Sequence, residues 1–277
     1  MNNINIFLEH IYDACDQRNI PFEKMLCEAA EMGYSGLECD LWRLEKGAEV
    51  REMFGRCGLK AASIYSWYDF PHDTPAQSME KMKRHIETAE LFGTDKIMAI
   101  PGFFLPEDDR SQVFDKCCEQ LQFLAEFAGE SGITVTVENF DDINSPCCNI
   151  SGLSRLLSGA SGLRYTFDTG NFAYVGERAS EAYSRLRPYI SHVHLKDRSR
   201  DASRTDRENK NAKADISGEM MYPCEVGSGY IGIESLVKSL IKDGYSGDFS
   251  VEHFGAVDQT DYMRRSIENV RRWISEV

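Results

Sequence analysis

The sequence predicts an α/β protein built as one closed (β/α)8 barrel. Short apolar runs alternate with longer amphipathic stretches from end to end, which is the pattern of βα units feeding a parallel sheet. Eight such runs are present, more than an open doubly wound sheet usually holds. The 277 residues carry no Pro-, Gly- or Ser-rich linker, and a chain of this length suits a barrel in a single domain, residues 1–277.

The strand candidates, in order, are INIFLE from Ile4, SGLECD from Ser35, KAASIYSW from Lys60 and DKIMAI from Asp95. ITVTVE from Ile133, LRYTFD from Leu163, ISHVHLK from Ile190 and DFSVEH from Asp248 follow. Stretches with helical spacing lie between them, such as residues 77–93 and 111–132, each closed by a glycine at the C-cap. The long polar insert after the seventh strand, residues 198–231, exceeds an ordinary βα loop. It reads either as a lid over the barrel mouth or as a disordered surface excursion. Within it, GSGYIG at 227–232 lacks the spacing and the preceding strand of a dinucleotide loop. Those glycines either shape the return to the barrel or offer N–H groups to a phosphate.

Hydrophobic residues at 42% and aromatics at 11% fit a globular chain, and no apolar run is long enough to span a bilayer. A net charge of -14 argues against a nucleic-acid partner, which needs a basic face. The first residues show no basic-then-apolar leader, so a cytoplasmic address is expected. Nine cysteines, two pairs of them vicinal and none spaced as C-x-x-C, lead to an expectation of reduced thiols. No membrane partner is expected; a homo-oligomer stays open.

Side chains alternate across a strand, so in ITVTVE the apolar Val135 and Val137 share one face while Thr134, Thr136 and Glu138 share the other. The apolar face belongs under the helices. Glu138 then points inward at the carboxyl end of its strand, where barrels of this kind build their sites. The same parity sends Asp168, His194 and Glu252 inward on the next three strands. Three carboxylates in a low-dielectric mouth repel one another, and a divalent cation is the economical counter-charge. Oxygen-rich ligation with one imidazole suits Mn2+, Mg2+ or Co2+, with Zn2+ also admitted.

Other inward or rim positions are candidate substrate contacts: Glu38 ending the second strand, Trp67 ending the third, His72 just beyond it, and Lys196. His192, one layer deeper, reads as an interior hydrogen-bonded residue or as a further contact. His253 has outward parity, and residues 139–142 read as a solvated turn with Asn139 and Phe140 at the rim.

The segments VENF, FDTGN, HVHLKDRSR and VEHF, in that order on consecutive strands, resemble the xylose isomerase-like TIM-barrel superfamily. That superfamily contains sugar and sugar-phosphate isomerases and epimerases, inosose dehydratases and endonuclease IV of AP endonuclease family 2. GYSGLE and AELFGTDKI extend the resemblance over nearly the whole chain. The resemblance implies a TIM barrel of carbohydrate metabolism in which Glu138, Asp168, His194 and Glu252 hold the metal. It implies Glu138 and Glu252 as the acid–base pair and Arg200, six residues beyond the metal histidine, as a substrate contact. Asn171 stands where the ketose 3-epimerase branch has a histidine, and His253 where it has a proline. Asn171 is then a substrate-contact candidate, and its identity, the histidine-free IPGFF loop and the acidic charge argue against DNA repair.

The expected activity is a metal-dependent sugar or sugar-phosphate isomerase or epimerase, working by proton abstraction α to a carbonyl through an enediolate. An inosose-type dehydratase or keto-sugar lyase is the alternative on the same site, and a non-catalytic sugar-binding barrel is a third reading. All three take a small-molecule carbohydrate.

Overall fold

The computed structural model of the chain describes residues 2–204 and 212–277. The barrel strands are β1 (Ile4–Phe7), β2 (Gly36–Asp40), β3 (Lys60–Trp67), β4 (Lys96–Ile100), β5 (Thr134–Glu138), β6 (Arg164–Asp168) and β7 (Ile190–Lys196). Three short strands follow, β8 (Arg198–Ser199), β9 (Lys213–Ala214) and β10 (Met220–Pro223), before β11 (Phe249–Glu252) completes the wall. Among the described residues, eight parallel strands close in the order β1-β11-β7-β6-β5-β4-β3-β2. INIFLE is shorter as a strand than its run suggests, because Leu8 already starts the helix Leu8–Arg18.

Alternation decides where the core sits. Val135, Val137, Phe167, Val193, Leu195, Phe249 and Val251 face outward and are buried under the helices, in one continuous core between wall and helices. Each fully buried side chain of this size contributes about 1.5–3 kcal/mol relative to exposure. Helix starts are marked by side-chain caps: Thr74 forms a capping box with Gln77, while Asp109, Asn149 and Asp258 accept from backbone amides of the first turn.

A smaller apolar cluster, Phe7, Tyr65, Met98 and Ile100, lies inside the mouth at the carboxyl ends of β1, β3 and β4. The mouth is therefore two-sided, aromatic over β1, β3 and β4 and ionic over β5, β6, β7 and β11.

The described part of the insert is ordered structure, not a featureless excursion: β8 and β9 pair antiparallel with β10. The portion of the lid expectation at 205–211 lies outside the described residues. The insert's return is pinned by Asp197, whose carboxylate accepts from Gly227 N at 2.9 Å, Gly229 N at 3.0 Å and Ile231 N at 3.3 Å. The N–H groups of Gly227, Gly229 and Ile231, which could have cradled a phosphate, are thus already used. Gly229 is required there, since a Cβ would overlap the Asp197 carboxylate and the Arg198 carbonyl.

Cys27 and Cys57, on neighbouring βα units, form a disulfide, which corrects the expectation of reduced thiols for that pair. Their Cα atoms come within 4.8 Å through helix packing that no sequence spacing announces. No helix among the described residues is long and apolar enough to cross a membrane.

Candidate active site

The barrel interior is polar in layers that step toward the mouth. Thr166 Oγ1 donates to Thr136 Oγ1 at 2.8 Å across β5 and β6. Above them, His192 Nε2 lies 2.8 Å from Glu38 Oε2 and 3.0 Å from Ser250 Oγ, and Ser250 donates to the same carboxylate oxygen at 2.9 Å. All three residues are fully buried. Burial depresses the His192 imidazole against the pull of Glu38. Burial would raise Glu38, yet His192 and His194 outweigh it and hold the carboxyl well below its ordinary range. The two groups form one buried hydrogen-bonded pair.

At the rim, Glu138, Asp168, His194 and Glu252 each present a ligand atom, and these atoms all lie within 4.8 Å of one another. His194 Nδ1 is 2.6 Å from Glu138 Oε1 and 3.6 Å from Glu252 Oε2. Asp168 Oδ1 accepts from Gly170 N at 2.8 Å and Asn171 N at 2.6 Å, whereas Oδ2 is buried with no hydrogen-bond partner among the described residues. Burial pushes Glu138 up, opposed by His194. Burial, reinforced by Glu252 and Glu138 and opposed by Lys196, holds Asp168 well above its ordinary value. Burial alone would depress His194, but Glu138 and Glu38 outweigh it and raise it well above 6.5.

Burial and mutual repulsion that push Glu138 and Asp168 up, and the Asp168 Oδ2 left without a donor among the described residues, fit a site built to hold a cation. The donor set of three carboxylates and one imidazole fits a divalent ion, and separations within 4.8 Å suit metal–ligand bonds of about 2.0–2.6 Å. Glu38, His192 and His194 form a second cluster of candidate ligands one layer down, sharing His194.

The rim opens into a cavity of about 360 Å³ whose lining includes Glu138, Glu252, Lys196, Asn171, Trp67 and Arg198. Lys196 Nζ sits 2.6 Å from Glu252 Oε1 and 3.9 Å from Asp141 Oδ2. Burial would depress this ammonium; Glu252 and Asp141 more than offset it and raise it. Lys213, from β9, reaches Asp141 at 3.4 Å from Oδ1 and also donates to its carbonyl. Across the cavity, Trp67 stacks with Phe103 at 5.8 Å and meets the edge of Phe140 at 5.3 Å.

The structure brings Glu138, Asp168, His194 and Glu252 together, and sets Lys196, Asn171 and Trp67 on the cavity wall. The other candidate contacts lie elsewhere. Glu38 and His192 do not line the cavity, because they are sealed in the layer beneath it. Arg200 is drawn away by ion pairs with Glu219 and Asp215 and lies over Tyr230. His72 is tied to Asp69 and Asp108 on the outer loops.

The solvated-turn reading of residues 139–142 is corrected. Asn139 is fully buried and bridges two strands, its Oδ1 accepting from Tyr165 Oη at 2.6 Å and Asp168 N at 2.9 Å, its Nδ2 donating to Asp168 O at 2.9 Å. Asp141 is the anion shared by Lys196 and Lys213. His253 stacks on His10 at 4.6 Å, on the outward side that its parity indicated. Residues missed from sequence are Asp141, Tyr174, Arg198 and Lys213. For Arg198 a signal existed, a third cation within six residues of the metal-type histidine.

The family model described as "Xylose isomerase-like TIM barrel" matches residues 26–273. Inosose dehydratase 1 of Bacillus cereus is 24% identical over 261 residues, covering 83% of this chain and 81% of that protein. Among solved structures, the probable 3-DHS dehydratase AsbF from Bacillus anthracis superposes with a TM-score of 0.75 at 16% identity, over 98% of this chain and 99% of that one. D-allulose 3-epimerase from Methylomonas sp. gives a TM-score of 0.75 at 14% identity, over 98% of each chain. At these identities the two superpositions speak for the fold alone.

Proposed function

The chain belongs to the xylose isomerase-like TIM-barrel family, and from that premise we propose a divalent-metal-dependent enzyme that abstracts a proton α to the carbonyl of a small sugar, sugar phosphate or keto-polyol. Isomerisation or epimerisation is the leading outcome. The supporting observation is the meeting of Glu138, Asp168, His194 and Glu252 within 4.8 Å, with Glu138 and Glu252 lining one cavity. These four residues would hold Mn2+, Mg2+ or Co2+, with Zn2+ also admitted. Bound there, the cation supplies Lewis acidity, a several kcal/mol stabilisation of charge developing on substrate oxygens.

The proton work falls to the two glutamates. Glu138 ends β5 and Glu252 ends β11, on either side of β6 and β7 in the barrel order. One carboxylate takes the proton from one face of the carbon and the other returns it to the opposite face, which epimerises that centre. Transfer by a single carboxylate between adjacent carbons isomerises instead. Lys196, paired to Glu252 at 2.6 Å, orients that carboxylate. Asn171 Oδ1, without a hydrogen-bond partner among the described residues, is placed to accept from a substrate hydroxyl. Trp67, nearly half exposed, offers its ring face to the C–H side of a sugar. The described parts of the insert, residues 198–204 and 212–231, serve as a lid that excludes water from the mouth.

Dehydration is the second reading: if a β-hydroxyl leaves from the same intermediate, the product is an enone. The likeness to inosose dehydratase 1 favours it. Incubating cation-loaded protein with ketoses, ketose phosphates and keto-inositols separates the two by mass spectrometry and NMR. An isomer of unchanged mass marks isomerase or epimerase action, and loss of one water with enone absorbance marks the lyase. No conversion of any compound, or conversion that persists without the cation, rejects the proposal.

A further inference from the structure

Arg198 begins the insert two residues after Lys196, and it is buried, 3% exposed, while lining the cavity. Its guanidinium Nε and Nη1 have no hydrogen-bond partner among the described residues. The main chain around it is fixed: Arg198 N donates to Asp197 Oδ1 at 2.9 Å and Arg198 O accepts from Tyr230 N at 3.0 Å. The side chain lies over Tyr174, with Cζ 5.4 Å from the ring centroid.

The neighbouring cations are already matched. Lys196 has Glu252 at 2.6 Å and Lys213 has Asp141 at 3.4 Å. Arg198 thus holds two buried donors, Nε and Nη1, without an acceptor among the described residues. Such a group costs free energy in the folded protein unless a ligand completes it. Guanidinium geometry matches the paired oxygens of a carboxylate or a phosphate, and a neutral hydroxyl leaves most of that fork unused. A cation among Glu138, Asp168 and Glu252 would also take up the negative charge that otherwise partly offsets Arg198.

We propose that Arg198 anchors an anionic substituent of the substrate, a carboxylate or a phosphate, so that the substrate is a sugar acid or sugar phosphate and not a neutral sugar. This rests on the reading of the cavity as a carbohydrate site and narrows it. The anchor lines the same cavity as Glu138 and Glu252, and a cavity of about 360 Å³ is within the usual range for one small ligand. Arg198 thereby takes the substrate-contact role that the six-residue spacing had suggested for Arg200.

The test compares three ligands on one carbon skeleton, fructose, fructuronate and fructose 6-phosphate, by titration calorimetry with the Mn2+-loaded protein. At least one acid is expected to bind about tenfold or more tightly than fructose. Preference for fructuronate assigns the anchor to a carboxylate, and preference for fructose 6-phosphate to a phosphate. Arg198→Gln removes the preference and leaves fructose affinity within about twofold. Arg198→Lys, which keeps the charge and guards against a folding defect in the first variant, weakens the preference without abolishing it. Wild-type protein that shows no preference for either acid overturns the proposal, as does an Arg198→Gln variant that loses acid and fructose binding alike. Acid preference without exchange of the α proton would reject the catalytic reading and keep the anchor; exchange without preference would reject the anchor alone.

Discussion

His194 Nε2 stands 3.5 Å from Glu38 Oε1, and both atoms are buried with no hydrogen bond to any other described residue. The opposite ring nitrogen, Nδ1, faces Glu138. A proton on Nε2 directed at Glu38 leaves the Nδ1 lone pair for the rim cluster, so the carboxylate below fixes which nitrogen is free for a cation above.

Glu38→Gln is therefore expected to weaken Mn2+ binding about tenfold to a hundredfold, as loss of an orienting partner typically does. Calorimetric titration of metal-free protein measures it, and activity should return at saturating Mn2+. An unchanged affinity would reduce Glu38 to a packing role.

Asp197→Ala removes one carboxylate shared by four amides, Arg198, Gly227, Gly229 and Ile231. A loss of about 1–3 kcal/mol in unfolding free energy is expected, because buried donors are left unmade. Hydrogen exchange should speed up first at those four amides. Uniform exchange across the barrel would point to a general folding defect instead.

His85 supplies a pH dependence remote from the site. Tyr68 Oη lies 2.9 Å from its Nδ1, and Nε2 lies 2.9 Å from the Ile64 carbonyl. Burial, opposed by that carbonyl, holds the imidazole down at about 4, against an ordinary value of 6.5. The unfolded chain takes up this proton near pH 6.5 and the folded chain only near pH 4, so the contribution is complete above about 6.5 and is lost as the pH falls to about 4. The loss is at most about 3 kcal/mol. Urea unfolding at pH 7 and pH 4.5 should show a smaller drop for His85→Gln than for the wild type, and an equal drop would assign the acid limb to other groups.

Much of this site was legible in the sequence for a geometric reason. A barrel strand must turn its apolar side to the helices, so Val137, Phe167, Leu195 and Val251 fix the opposite facing of Glu138, Asp168, His194 and Glu252. What periodicity does not encode is pairing between distant segments. Lys213 reaches Asp141 only because β9 pairs with β10, which pairs with β8. Asn139 looked like part of a polar turn, since its partners Tyr165 and Asp168 belong to another strand. Arg200 had the spacing for the cavity, but Glu219 on the far side of the insert competes for it. Cys27 and Cys57, 30 residues apart in different βα units, meet through helix packing alone.

The central claim is that Glu138 moves a proton at a carbon next to a carbonyl on the cation-loaded chain. Deuterium incorporation from D2O into the tightest-binding ligand of the fructose series, followed by NMR, tests it most directly. Wild-type protein with Mn2+ is expected to label the α carbon, and Glu138→Gln to slow labelling by about a hundredfold or more while still binding the ligand. Labelling by Glu138→Gln at the wild-type rate would contradict the account.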